Sequence, residues 1–203
     1  KYHFPVAALN DGKAAALAEL ATGHLKGVTN GAALVLGSGL GGGIIINGKL
    51  FQGSHFQAGE LTFLLPLQME KLDPSLMQET TLSAIGLITK VNEILASLDL
   101  KDGLLAFKAI NAKKEAVYPI FETYCRNLAI TILNLQTIFD METFVLGGGI
   151  SAQSILIEEV NRQFDKVHHE IDFIGKIIKR PKIVACHHNG TNLIGAAYFL
   201  KQG

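Results

Sequence analysis

The chain has no tryptophan, only two cysteines and only five prolines among its 203 residues. Cys125 and Cys186 make neither a disulfide framework nor a CxxC site, and free thiols fit a reducing, cytoplasmic compartment. No charge sign is in excess: 18 Lys and Arg stand against 18 Asp and Glu, so no basic stripe marks a nucleic-acid partner. Hydrophobic residues reach 48% and the mean hydropathy is +0.29. Yet no uncharged apolar run approaches the ~18 to 20 residues that cross a bilayer. Strands covered on both faces raise hydropathy equally well, so the expectation is a soluble α/β protein with no membrane partner. The N-terminus has no Met and no apolar signal segment, opening instead on Lys1-Tyr2-His3-Phe4-Pro5. That start leads us to expect a piece of a longer protein.

What is present alternates between two periodicities. Val6–Leu9 reads as a short strand, and Asn10-Asp11 before the Ala-rich run Lys13–Leu20 reads as a helix start. Gly23 closes that helix. Ala32–Leu36 is a buried-strand run, Ile44–Ile46 a second and Lys49–Phe51 a third, with Asn47-Gly48 as a type I′ hairpin signal between the last two. Helical spacing covers Met77–Leu98 and about Lys113–Ile138. Thr143–Leu146 is then a strand, Ser151 to about Val167 a helix, Lys182–Ala185 a strand, and Thr191 or Asn192 to Leu200 a last helix. Three antiparallel strands followed by right-handed βαβ units predict a mixed sheet with helices on both faces.

Between Ala32–Leu36 and Ile44–Ile46 lies Gly37-Ser38-Gly39-Leu40-Gly41-Gly42-Gly43, with five glycines in seven residues. Backbone without Cβ can approach a phosphate and aim several N–H groups at it. The plain alternative is a bulged hairpin turn. The loop is neither a Walker A sequence nor a dinucleotide fingerprint, because no Gly-Lys-Ser/Thr follows and the next element is a strand. Gly147-Gly148-Gly149, with Ser151 behind it, stands at a strand-to-helix junction, where open α/β sheets bind ligands. It also reads as a turn with Ser151 as helix cap. Asp11 reads as a cap or as a carboxylate that takes a proton from a substrate hydroxyl. Glu60 alone reads as a solvated acid. The pairs His168-His169 and His187-His188 are poor chelators if they lie on strands, where neighbours point apart, so no metal site is expected.

Together these pieces resemble the ROK family (repressors, open reading frames and kinases) over nearly the whole chain. The matching stretches are Asn10–Glu19, the glycine hairpin Gly37–Leu50, Gly53 with Ala58-Gly59-Glu60-Leu61, Val145–Ser151 and Asn192–Ala197. The resemblance implies the actin-like, ribonuclease H-like ATPase fold and an ATP-dependent sugar kinase acting with Mg²⁺. Asp11 would be the general base and Asn10, Glu60 and Glu79 would hold the sugar. Gly37, Ser38, Gly39, Gly41 and Gly42 would hold ATP phosphates, and Gly147, Gly148 and Gly149 would line the adenosine side. Residues 1–22 would be a remnant of a small N-terminal domain, 23–190 the large domain, and 191–203 a helix packing back on the small one. A homodimer is implied, with sugar and ATP as ligands and no nucleic acid in the kinase reading.

Several positions depart from the family pattern. Phe63 replaces the histidine that usually precedes a zinc-binding cysteine cluster, and no cysteine lies between it and Cys125, so no structural zinc is expected. Ser38 stands for Thr, Gly12 for the Ala of Asn-Asp-Ala, and Gly190-Thr191 for Asp-Ala. The family's N-terminal domain is not visible, so the isolated chain is expected to be inactive. Two alternatives stay open: a sugar-responsive ROK repressor whose DNA-binding part lies elsewhere, and a degenerate sugar-binding module.

Overall fold

The computed structural model describes residues 8–65, 81–170, 172–187 and 192–202. Among these residues five strands, β1 (Gly31–Leu36), β2 (Leu40–Ile46), β3 (Lys49–Phe51), β4 (Thr143–Gly148) and β5 (Lys182–Ala185), form one sheet in the order β3-β2-β1-β4-β5. The first three are antiparallel neighbours, whereas β4 runs parallel to both β1 and β5. Asn47 and Gly48 both take positive φ, 52° and 69°, the type I′ geometry that matches strand twist.

Apolar runs in the strands divide by the pleat. Ala32, Leu34, Leu36, Ile44, Phe144, Leu146 and Ile183 face one core layer, while Ala33, Val35, Ile45, Val145 and Val184 face the other. Such runs look continuous in sequence because both faces are covered. Among the described residues seven helices supply the cover: α1 (Asp11–Thr22), α2 (Ala84–Ile94), α3 (Gly103–Asn111), α4 (Tyr118–Phe139), α5 (Ser154–Glu170), α6 (Asp172–Ile177) and α7 (Asn192–Gln202). The larger layer centres on α4, whose Phe121, Tyr124, Cys125, Leu128, Ala129 and Ile132 recur at helical spacing and are buried. Pro119 sits in its first turn, and Asp140 ends it at φ 48°. Burial pushes the Cys125 thiol well above its ordinary range.

The other layer is thinner. There α1 lies on β1 and β2 and packs against α7, closely enough that a Cβ on Gly195 would come within 1.8 Å of the Ala14 carbonyl oxygen. Among the described residues no helix is long and apolar enough to cross a membrane.

Four expectations change. Leu40–Gly43 belong to β2, so the glycine turn is Gly37–Gly39 alone. Helix α2 starts at Ala84, capped by Ser83, and the expected Met77–Thr80 part lies outside the described residues. Helix α3 is additional; its cap, Asp102 accepting from the Leu105 amide at 2.9 Å, precedes an apolar run too short to show a clear period. Ala8 and Leu9 are not strand, and Val6 and Ala7 lie outside the described residues.

Candidate active site

Helix α1 begins where Asn10, in extended backbone at φ −62° and ψ 147°, accepts the Gly12 amide at 2.9 Å. Asn10 rather than Asp11 is therefore the cap. Asp11, the first helical residue, is exposed, and its Oδ1 accepts the same amide at 2.7 Å. That carboxylate faces β2: a Cβ on Gly41 would be 3.6 Å from Asp11 Oδ1. Asp11 thus stands two residues beyond the Gly37–Gly39 turn.

Close backbone contact sets this position. A Cβ on Gly12 would lie 2.5 Å from the Gly42 nitrogen, and one on Gly42 would lie 2.7 Å from the Gly59 oxygen. The helix, the strand and the loop before Leu61 therefore stack backbone on backbone, an approach open only to glycine. Gly42 is buried in that stack, so it packs against protein instead of opening toward a ligand. Gly12, a departure from the family pattern, has a packing cause.

The same stack delivers Glu60. Its Oε1 accepts from Asn10 Nδ2 at 3.1 Å, so the acid that reads as solvated in isolation is tied to the start of α1. Behind it Thr62 Oγ1 accepts the Leu40 amide at 3.2 Å and donates to the Leu40 carbonyl at 3.1 Å, clasping the start of β2. Phe63 is exposed on the 3₁₀ turn Leu61–Phe63. Glu79 lies outside the described residues.

At the same end of the sheet, the two glycine segments meet. Leu36 pairs with Gly148, and Gly148 has φ 97° with its α-carbon against the Leu36 carbonyl, where a Cβ would fall at 2.1 Å. Among the described residues nothing lies within 4 Å of a Cβ on Gly37 or Gly149. Both open onto a cleft of about 510 Å³ between the turn, α2 and the start of α3. Ile85, Ile88, Leu104 and Phe107 give it apolar walls, and Asp99, Lys101, Asp102 and Gln153 give it polar groups. The Ala84 amide donates to the Gly37 carbonyl at 2.8 Å and holds the turn. Ser38 is exposed at its tip. Ser151 lies in a turn ahead of α5 and donates to the Gly148 carbonyl at 2.8 Å, so it closes the glycine turn and is not the helix cap.

Three supporting side chains leave little sign in the sequence. Lys13, 3% exposed, donates from Nζ to the Phe56 carbonyl. Glu19, 1% exposed, accepts the His24 and His187 amides at 2.8 and 2.7 Å, joining the end of α1 to the segment after β5. Buried Asn92 donates to the Leu100 and Asp102 carbonyls at 3.3 and 2.9 Å, fixing one wall of the cleft. Polar residues on apolar helices carry no sequence mark that separates such roles from solvation. The histidine argument also changes: His168 and His169 lie on α5, not on a strand, and His168 is buried against Phe164 and the Ile178 carbonyl. Among the described residues no group of three or more His, Cys, Asp or Glu could hold a metal ion.

The mixed sheet with helices on both faces has the actin-like, ribonuclease H-like ATPase fold of the ROK sugar kinases it matches. The ROK family model matches residues 1–203, and the chain belongs to that family. It is 30% identical to the β-glucoside kinase of Listeria innocua over 206 residues, covering 98% of this chain and 65% of that protein. Its fold matches the ROK family glucokinase of Streptomyces griseus, solved with glucose and AMPPNP, at a TM-score of 0.82 and 25% identity, covering 98% of this chain and 69% of that one. It also matches a ROK family transcriptional regulator homologous to the E. coli MLC protein, at TM-score 0.71 and 26% identity over 95% of this chain and 50% of that one. The chain spans about 65% of the length of the curated relatives it matches.

Proposed function

We propose that the intact protein phosphorylates a hydroxyl of a hexose or hexose derivative at the expense of ATP. The observation that carries this reading is the Asn10–Glu60 hydrogen bond. It gathers a neutral amide and a carboxylate, both suited to sugar hydroxyls, at the helix start that carries Asp11. Asp11 then takes the proton of the attacking hydroxyl as the new O–P bond forms and ADP leaves. The Gly37–Gly39 turn with Gly41 offers backbone to the phosphates, and Gly147–Gly149 borders the adenosine side. The cleft has the open space at Gly37 and Gly149 that a nucleotide needs. ATP with Mg²⁺ supplies the phosphoryl group and offsets its charge. In this reading Glu79 adds a further sugar contact, α1 and α7 belong to a small domain, and the protein works in the cytoplasm as a homodimer.

The likeness to a ROK regulator supports a second reading, a sugar-responsive repressor. Asp11 beside the glycine turn favours the kinase, since sensing a sugar needs no proton acceptor there. A panel of hexoses and β-glucosides with ATP and Mg²⁺, measured as kcat/KM on the intact protein, tests the choice. Asp11→Asn is expected to lower kcat by about 10²- to 10⁴-fold with sugar affinity retained. No turnover on any sugar would overturn the kinase reading, and unchanged turnover in Asp11→Asn would remove Asp11 from the chemistry.

A further inference from the structure

We propose that Lys13 is a positioning residue which sets the loop before Glu60 onto α1, so that Glu60 and Asp11 meet one sugar. The proposal rests on the kinase reading above. Lysine is rarely buried, because its stem normally carries the ammonium out to water. Lys13 is 3% exposed, and its ammonium donates inward to the Phe56 carbonyl. An inward-turned cation beside the buried Ala14, Ala16 and Leu17 of the same helix is costly unless it satisfies something.

What it satisfies is a segment with little structure of its own. Gly53, Phe56 and Gly59 all have positive φ, 72°, 58° and 88°. A phenylalanine in the left-handed region is strained and persists only where its surroundings impose it. Burial of the ring does not impose it, because Phe56 is 68% exposed. The loop's own bonds are long, with the Ala58 amide reaching the Gln52 carbonyl at 3.2 Å and the Glu60 amide the Gln57 carbonyl at 3.3 Å. The ammonium at the Phe56 carbonyl therefore supplies an anchor in the middle of the loop.

A second anchor lies at the loop's end, where Asn10 holds Glu60. Both come from α1, the helix whose first residue is Asp11. Asn10 and the packing of Gly59 against Gly42 hold only the end of the loop. With Lys13 as well, the loop is gripped one helical turn deeper, and the distance between the base and the sugar-holding acid becomes a property of one rigid element. Lys13 touches neither ligand in this arrangement; it acts through Glu60.

Lys13→Met keeps the stem and removes the donors, whereas Lys13→Arg keeps a cationic donor. On the intact protein, Lys13→Met is expected to raise the sugar KM roughly 10- to 100-fold, the scale of a 1 Å misplacement, with the nucleotide KM unchanged. Lys13→Arg should recover most of that loss. Hydrogen exchange at the Ala58 and Glu60 amides should quicken in Lys13→Met while exchange in β1 and β4 stays the same. A parallel rise in both KM values, or an unchanged sugar KM in folded Lys13→Met, would overturn the proposal. If Lys13→Met does not fold, Lys13→Gln, a shorter donor, takes its place under the same criteria. Should the wild-type protein phosphorylate no sugar, the functional reading fails by itself. Loop exchange then still decides whether Lys13 anchors the segment, and unchanged exchange would overturn that too.

Discussion

Asn10 Nδ2 donates to Glu60 Oε1 at 3.1 Å across 50 residues of sequence, while Asn10 Oδ1 caps α1 by accepting the Gly12 amide at 2.9 Å. One side chain therefore performs two separable tasks. Asn10→Asp keeps an acceptor for the cap but sets two carboxylates against each other. We expect its thermal midpoint to stay near wild type at neutral pH while sugar affinity falls by about tenfold or more, the scale of a lost charge-assisted bond. Asn10→Ala loses both tasks, so its stability should also drop by about 1 kcal/mol. Thermal melts and sugar titrations of both variants check the split. Equal sugar affinity in all three proteins would show that the contact with Glu60 does not shape the site.

The backbone stack of Gly12, Gly42, Gly43 and Gly59 makes a second prediction. A Cβ on Gly43 would fall 2.4 Å from the Gly12 carbonyl oxygen and 2.5 Å from the Ala16 Cβ. Backbone cannot give way as a flexible side chain can, so Gly43→Ala must lift α1 from β2. Overpacking of this kind costs roughly 1 to 3 kcal/mol. Because α1 starts at Asp11, turnover should fall further than the lost folded fraction explains. Urea denaturation with kinetics at a temperature where the variant remains folded measures both. Wild-type stability in Gly43→Ala would mean the layers are not held this close.

How much of this could be read from the sequence differs by element. The strands were legible because β-rich apolar runs bounded by glycine have few other uses, and Lys182–Ala185 matches its expected limits. The Asn47-Gly48 hairpin was legible because only positive-φ residues fit it. The extent of the glycine turn was not legible: Gly41, Gly42 and Gly43 look like loop residues, yet they are strand residues, and Gly42 and Gly43 lack side chains where other backbones approach. That requirement belongs to the partners Gly12 and Gly59, which are distant in the chain. Glu60 was legible only through its family motif, because a lone acid has no periodicity. Lys13, Glu19 and Asn92 were not legible, since their roles depend on carbonyls and amides brought up by other elements.

Asn92 gives a third prediction, at the cleft proposed for the nucleotide. Its amide holds the Leu100 and Asp102 carbonyls, and Asp102 in turn caps α3, which carries Leu104 into the cleft. Asn92→Leu fills similar volume but leaves both carbonyls unheld. We expect the nucleotide KM to rise several-fold with the sugar KM unchanged, the reverse of Lys13→Met. A lost buried partner should also cost about 1 to 3 kcal/mol of stability. Steady-state kinetics with each substrate varied in turn would check this, and a rise in sugar KM alone would contradict it.

The last prediction concerns pH and a cluster away from the cleft. Glu159 is 3% exposed and accepts from Tyr118 Oη at 3.0 Å, Arg162 Nε at 2.8 Å and Gln163 Nε2 at 2.7 Å. Burial, the largest single influence, pushes its carboxyl up, but hydrogen bonds from Arg162, Gln163 and Tyr118 together hold it below its ordinary 4.5. The stability it contributes is therefore full above that value and is lost as pH falls below it. Tyr118 moves the other way: burial and then the bond to the Glu159 carboxylate push its phenol from 10.0 up to about 12. Its contribution is full below pH 10 and disappears as pH rises through about 12. Urea midpoints should thus fall at both ends of the pH range. Glu159→Gln is expected to flatten the acid limb, and Tyr118→Phe the alkaline limb, while also removing a phenol that ionises late in an absorbance titration. If the acid limb of Glu159→Gln matched that of wild type, the carboxylate network would not be the source of the acid sensitivity.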